Sequence, residues 1–376
     1  MPKNRQPTAA AARATPGPLP PFAAALLAWY DENKRALPFR QDPTPYHVWV
    51  SEAMLQQTQV ATALPYYERF IARLPTVAHL AACGEDELHK LWEGLGYYSR
   101  ARNLQKAARV VMQQHGGQLP ASYAALLALP GVGPYTAGAI ASIAFGLPEV
   151  AVDGNVLRVA SRLLASDGDI TRPEVKRALS EEVRRQQPAA RPGDFNQALM
   201  ELGALICLPA NPRCAACPLA ALCRAKALGI QHTLPVKAPP KAKRSVDVTV
   251  LVVHSGARVL LQQRPPRGLL AGLWQPLTFE EKLSETEAAA RLAALVPGAQ
   301  LAGALPAGRH IFTHRVWQMT GWLCTAPQGV AAPAGPFRFV PAEEVLQKWP
   351  LPGAFKAYLP HITAAAPQRP TKKSRL

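Results

Sequence analysis

The sequence predicts a mostly helical N-terminal part joined to a smaller α+β C-terminal domain. Three observations support this. From about Phe22 to Leu228 the apolar residues recur at helical spacing, and strand patterns are nearly absent. A Pro- and Lys-rich stretch, Leu234 to Arg244, then reads as a linker. Beyond it, Val246 to Val253 and Arg258 to Gln262 carry alternating or clustered β-branched residues around the turn Ser255-Gly256. A helical stretch at Ser284 to Leu295 and a strand pair over Arg309 to Cys324 complete that second pattern. At 376 residues the chain is long enough for two or three separately cored domains.

In chain order, the first 20 or so residues are rich in Ala and Pro and read as a disordered tail. Phe22 to Tyr30 is apolar, but Asp31 to Arg35 follows at once with no small-residue cleavage site, so it reads as an amphipathic first helix and not a secretory signal. The helical part is punctuated at Pro43-Thr44-Pro45, Gly94-Leu95-Gly96, Gly116-Gly117, Pro130-Gly131-Val132-Gly133-Pro134 and Asp167-Gly168. No apolar run reaches the ~18 residues a membrane span requires, and no internal repeat is visible.

Net charge is +17, from 42 basic and 25 acidic residues, which suits an anionic polymer as partner. Eleven of those charges fall in three acid-free segments: Lys3, Arg5 and Arg13; Lys237, Lys241, Lys243 and Arg244; and Arg369, Lys372, Lys373 and Arg375. The body is only mildly basic, so charge alone is weak evidence for nucleic acid. Four of the six cysteines crowd into Cys207, Cys214, Cys217 and Cys223. Without a secretory signal, that clustering indicates a metal site and not a disulfide framework.

Leu129-Pro130-Gly131-Val132-Gly133-Pro134-Tyr135-Thr136-Ala137 lies between two helical patterns. Glycines flanking one apolar residue let the turn take positive φ and let backbone N–H groups approach a phosphate at the next helix start. Asp153, in Val152-Asp153-Gly154-Asn155-Val156, stands at the apparent start of a helix, as either an ordinary N-cap or a carboxylate kept anionic by backbone donors and the helix dipole. Glu52 has Val48, Trp49 and Leu55 on its helical face. An apolar setting should raise its pKa while the cap pushes Asp153 the other way, giving an acid and an anion. The spacing Cys207-x6-Cys214-x2-Cys217-x5-Cys223 supplies four thiolates for tetrahedral zinc or an iron-sulfur cubane.

The glycine turn resembles the hairpin of the helix-hairpin-helix DNA glycosylases. Three runs narrow the likeness to the MutY family of adenine DNA glycosylases: Ser51-Glu52-Ala53-Met54-Leu55-Gln56-Gln57-Thr58-Gln59-Val60, Gly94-Leu95-Gly96-Tyr97-Tyr98-Ser99-Arg100-Ala101-Arg102-Asn103 and Gly131 to Ile140. With the cysteine cluster they span roughly residues 22 to 228. The resemblance implies an iron-sulfur cluster domain at 21–45 and 148–228, a six-helix barrel with the hairpin at 46–147, a linker at 229–245, and a tail at 366–376. It implies a monofunctional enzyme, because bifunctional members carry a nucleophilic lysine where this chain has Tyr135. Glu52 would protonate adenine N7, Asp153 would face the sugar cation, and Tyr135 and Asn155 would support the transition state. Gln57 and Tyr97 would push into the base stack beside 8-oxoguanine. Gly131, Val132, Gly133 and Arg102 would contact DNA, and the four cysteines would hold one structural 4Fe-4S cluster, presenting basic residues such as Arg213.

Residues 246–365 resemble the MutT-like, Nudix-fold domain of that family, through Leu260-Leu261-Gln262-Gln263-Arg264-Pro265 and Gly268-Leu269-Leu270-Ala271-Gly272-Leu273-Trp274. The Gly-rich and Arg-Glu/Glu-Glu metal signatures of a working hydrolase are missing. Glu280, Glu281, Glu285 and Glu287 therefore read as a solvated helix start. Phe312-Thr313-His314 stands where the family has Phe-Ser-His, so Thr313 and His314 would read the damaged base, Thr keeping the hydroxyl. The implied partner is duplex DNA holding adenine opposite 8-oxoguanine or guanine, met by a monomer in a bacterial cytoplasm, at the nucleoid, with no membrane.

Overall fold

A computed structural model describes residues 19–239 and 242–364. The expected tail of residues 1–20, apart from Leu19 and Pro20, and the basic tail at 366–376 lie outside the described residues. Leu19 is buried, and its amide donates to Glu182 Oε1 at 3.1 Å. The described chain forms two compact units, one of residues 19–53 and 118–239, the other of 54–117 and 242–364.

The first unit is helical. Its core gathers Leu26, Tyr30, Val156, Phe195 and Leu202 from the helices Ala23–Asn33, Gly154–Leu164 and Pro192–Leu205. The helix Gly154–Leu164 begins at a capping aspartate and ends at Ala165 in the left-handed region, burying Val156, Val159, Ala160 and Leu163 at helical spacing. The helix Pro134–Phe145 starts on a proline, whose missing N–H costs nothing there. Gly138 within it permits a close approach, since a Cβ would stand 2.2 Å from the Val150 carbonyl oxygen. The early linker is tied into this unit: the Leu234 carbonyl accepts from Arg162 Nε and the Val236 carbonyl from the Ile170 amide, both at 3.0 Å.

The second unit combines the helices Val60–Arg73, Val77–Ala82, Glu85–Trp92 and Ser99–Gln114 with a mixed sheet. Its strands are β1 (Arg244–Ser255), β2 (Arg258–Gln263), β3 (Trp274–Phe279), β4 (Gln300–Ile311), β5 (Arg315–Thr325) and β6 (Phe337–Pro341), in the order β4-β5-β1-β3-β2-β6. β1 and β5 run parallel and the other pairs antiparallel. Central β1 is buried on both faces, Val248, Val250 and Val252 toward a core with Trp317 and Phe355, Leu251 and Val253 toward one with Leu277 and Leu292. The helix Glu285–Leu295 opens with a capping box of Ser284 and Glu287, so Glu285 and Glu287 stand at a helix start as expected; Glu280 and Glu281 precede the helix and instead pair with arginines, Glu280 with Arg264 and Arg315 and Glu281 with Arg291. Among the described residues no helix is long and apolar enough to cross a membrane.

Candidate active site

Glu52 lies on the helix Pro45–Leu55, beside buried Val48, Trp49 and Val50, and is only 7% exposed. Burial raises its pKa to about 7, and the charge of Asp153 adds to the rise. A hydrogen bond from Tyr135 and the charge of Arg40 oppose it. Tyr135 occupies the first turn of the helix Pro134–Phe145, so the glycine turn aims it. Its hydroxyl donates to Glu52 Oε2 at 2.5 Å and stands 3.4 Å from Met200 Sδ. Burial holds the Tyr135 hydroxyl protonated well above its ordinary range.

Asp153 caps the helix Gly154–Leu164, accepting from the Val156 amide at 2.8 Å and from Asn155 Nδ2 at 2.7 Å. Asn155 Oδ1 accepts from Arg158 Nη2 at 2.9 Å, and Arg158 also donates to the Gly203 and Cys207 carbonyls, each at 2.8 Å. The cap bonds alone would hold Asp153 below the ordinary carboxylate range, as expected from its place at the helix start, but the structure reverses that direction. Desolvation outweighs the bonds from Val156 and Asn155 and the charge of Arg158, so its pKa is raised.

Sequence reasoning also missed an adjoining ion cluster. Glu201, 1% exposed, accepts from Arg35 Nε at 2.7 Å and from Arg40 Nη2 at 2.8 Å. Burial works to raise Glu201, but the two guanidinium groups prevail and hold it near 2. This fixed anion anchors Arg40, whose charge reaches Glu52. No local motif signals it, because the partners are more than 160 residues apart.

Cys207, Cys214, Cys217 and Cys223 line one small cavity together with Val159, Leu202 and Leu219. Arg162, buried, donates to Cys207 Sγ at 3.3 Å and to the Leu208 carbonyl at 2.7 Å. Among the described residues no three His, Cys, Asp or Glu side chains converge tightly enough for a single ion.

The hairpin turn adopts the expected backbone, with Gly131 at φ 76°. Val132 is buried and its amide donates to the Leu129 carbonyl at 3.1 Å, while Gly133 is the N-cap of the following helix.

In the second unit, a cavity of about 700 Å³ is lined by Gln57, Tyr97, Arg102, His310, Thr313 and His314, among others. Thr313 and His314 occupy the turn between β4 and β5, closed by the Phe312 amide on the Arg315 carbonyl at 2.8 Å, so they are not part of a strand face. The Tyr97 and Thr313 hydroxyls are 3.0 Å apart. Phe312 packs edge-on against His310 and Trp317, with ring centroids 4.5 and 5.0 Å away. Arg102 donates to the Ala271 carbonyl at 2.9 Å. Of the four non-glycine residues with positive φ among those described, Gln57 (60°), Tyr97 (47°) and Leu270 (55°) line this cavity. Such backbone costs ~1–3 kcal/mol per residue and concentrates at functional sites.

Comparison with known proteins places these features. Residues 50–185 match the HhH-GPD superfamily base excision DNA repair protein family, and residues 248–361 match the NUDIX domain. A solved structure titled as a thermostable thymine-DNA glycosylase superposes with a TM-score of 0.51 at 29% identity, covering 55% of this chain and 95% of that one. Fold and site thus define a helix-hairpin-helix chain extended by a Nudix-fold domain. Adenine DNA glycosylases from Homo sapiens and Mus musculus are 40% and 41% identical over 78% of the chain, which covers 65% and 68% of their lengths. A Schizosaccharomyces pombe adenine DNA glycosylase is 34% identical over 69% of each. The chain belongs to the adenine DNA glycosylase family. It spans 65% of the human relative's length and 59% of the rat relative's.

Proposed function

We propose that the chain removes adenine mispaired with 8-oxoguanine or guanine in duplex DNA, hydrolysing the N-glycosidic bond and leaving an abasic site. The observation that carries this reading is the buried Glu52 carboxyl, raised to about 7 and held at 2.5 Å by the Tyr135 hydroxyl, with Asp153 near enough to act on it electrostatically. Glu52 starts protonated and gives its proton to N7 of the extruded adenine, which makes the base a neutral leaving group. As the bond breaks, positive charge grows on the sugar, and ionised Asp153 stabilises it. Asn155 and the Val156 amide hold that carboxylate in place. Water attacks the sugar cation and gives up a proton to the Glu52 carboxylate left by the first step, which restores the acid. Tyr135 has no amine to form a Schiff base, so the strand stays intact.

The same reading assigns the second cavity to the base opposite adenine, with Thr313 and His314 at its rim and Tyr97 and Gln57 as the wedge that fills the gap left by flipping. In this reading Cys207, Cys214, Cys217 and Cys223, which line one cavity, would hold one 4Fe-4S cluster. When bound, that cluster would cross-link the loop; the chemistry of excision is done by the residues above.

The test is single-turnover excision from a duplex with adenine opposite 8-oxoguanine, followed with and without alkali. Wild type should release adenine and yield strand breaks only after alkali. Asp153→Asn with near-normal adenine release, or nicking without alkali, would overturn the reading.

A further inference from the structure

Arg100 follows Tyr97 by three residues, in the first turn of the helix Ser99–Gln114, and its amide donates to the Tyr97 carbonyl at 2.9 Å. Its side chain turns away from solvent and binds two separate loops at once. Nη1 donates to the Met54 carbonyl at 2.8 Å and the Gln56 carbonyl at 2.6 Å. Nη2 donates to the Leu95 and Gly96 carbonyls at 3.1 and 3.2 Å and to Thr58 Oγ1 at 3.4 Å. The guanidinium lies over the rings of Trp92 and Tyr97, 5.3 and 5.7 Å from their centroids. Trp92 is itself fixed, buried and donating through Nε1 to the Gly96 carbonyl at 3.1 Å.

The acceptors on one loop flank Gln57 and those on the other immediately precede Tyr97. Both tips have left-handed backbone, a conformation that persists only where surrounding bonds over-determine it. A planar guanidinium with its donors fixed in a fork can span the two loops; an ammonium presents three donors from one point and cannot. We propose that Arg100 is a positioning residue that holds the Gln57 and Tyr97 loops as one rigid wedge, so that both tips enter the base stack together. The inference rests on the reading above, in which those two residues enter the duplex.

The experiment uses the full chain with Arg100→Lys, Arg100→Gln, Tyr97→Ala and the double variant Tyr97→Ala/Arg100→Lys. Single-turnover adenine release is measured with adenine opposite 8-oxoguanine and opposite an abasic analogue, which leaves no opposite base for the wedge to stack beside. Arg100→Lys should slow the first reaction about tenfold or more and the second no more than about twofold; in the Tyr97→Ala background the same change should cost under about twofold, because coupled residues are not additive. Arg100→Gln repeats the test with a different side chain should the lysine variant fold poorly. Equal losses on both substrates, or full additivity with Tyr97→Ala, would overturn the inference. Normal excision opposite 8-oxoguanine by Tyr97→Ala alone would overturn the wedge reading and this inference with it.

Discussion

In the first unit, Glu52, Tyr135, Asp153 and Asn155 sit on helices or helix caps and are held by hydrogen bonds between their own side chains and neighbouring amides. In the second unit, Gln57, Tyr97, Thr313 and His314 stand on turns, and their geometry is imposed by groups that serve as scaffolding: Arg100 on carbonyls, Phe312 against Trp317. Under the proposed function the difference follows from the two tasks. Proton transfer and cation stabilisation need carboxyls with defined charge in a desolvated place, which helices supply. Reading and wedging need exposed tips on a rigid base, and Tyr97 is 50% exposed.

Breaking the first arrangement should have the largest effect. Glu52→Gln removes the only proton donor assigned to adenine and should slow excision by ~10²–10⁴-fold, whatever the opposite base. Asp153→Asn should fall in the same range, through loss of the anion facing the sugar.

The pH profile sharpens the same contrast. Glu52 is active when protonated, so single-turnover rates should decline as pH rises through about 7. Asp153 is active when ionised and its pKa is raised, so the acid limb should lie above the ordinary carboxylate range. An acid limb at or below that range would show that the cap bonds prevail over burial.

A stability effect follows with opposite sign to the activity loss. Glu52 moves from 4.5 to about 7, so the cost of burying its charge is absent below pH 4.5, grows above it, and is complete once pH exceeds about 7. That cost is at most ~3 kcal/mol. Glu52→Gln should therefore raise the melting temperature at pH 8 more than at pH 5, a difference visible by calorimetry.

In the second unit the effects should be smaller and selective. Thr313→Ala removes one hydroxyl from the cavity rim, worth ~1 kcal/mol, and should reduce the preference for 8-oxoguanine over guanine by about fivefold. Excision opposite guanine should hardly change.

The sequence made the first arrangement legible because its determinants are local: a glycine turn before Tyr135, a cap at Asp153, an acid on the apolar face bearing Glu52. For Asp153 the cap bonds are adjacent in sequence and legible, while the burial that outweighs them is set by the fold as a whole. Arg40 with Glu201, and Arg158 with the Cys207 carbonyl, stayed hidden for the same reason. Arg100 stands within one of the family-like runs, but nothing in its neighbours shows that its acceptors include Met54 and Gln56, more than 40 residues earlier. Likewise, alternation at His310, Phe312 and His314 fits a strand, and only the pairing of β4 with β5 places His314 in a turn.

The most direct measurement compares single-turnover adenine release opposite 8-oxoguanine and opposite guanine for wild type, Glu52→Gln and Thr313→Ala. Glu52→Gln should lose both reactions alike, and Thr313→Ala should lose only the difference between them. If Glu52→Gln kept near-normal release, or if Thr313→Ala slowed both substrates equally, the division of chemistry and reading between these two sites would be contradicted.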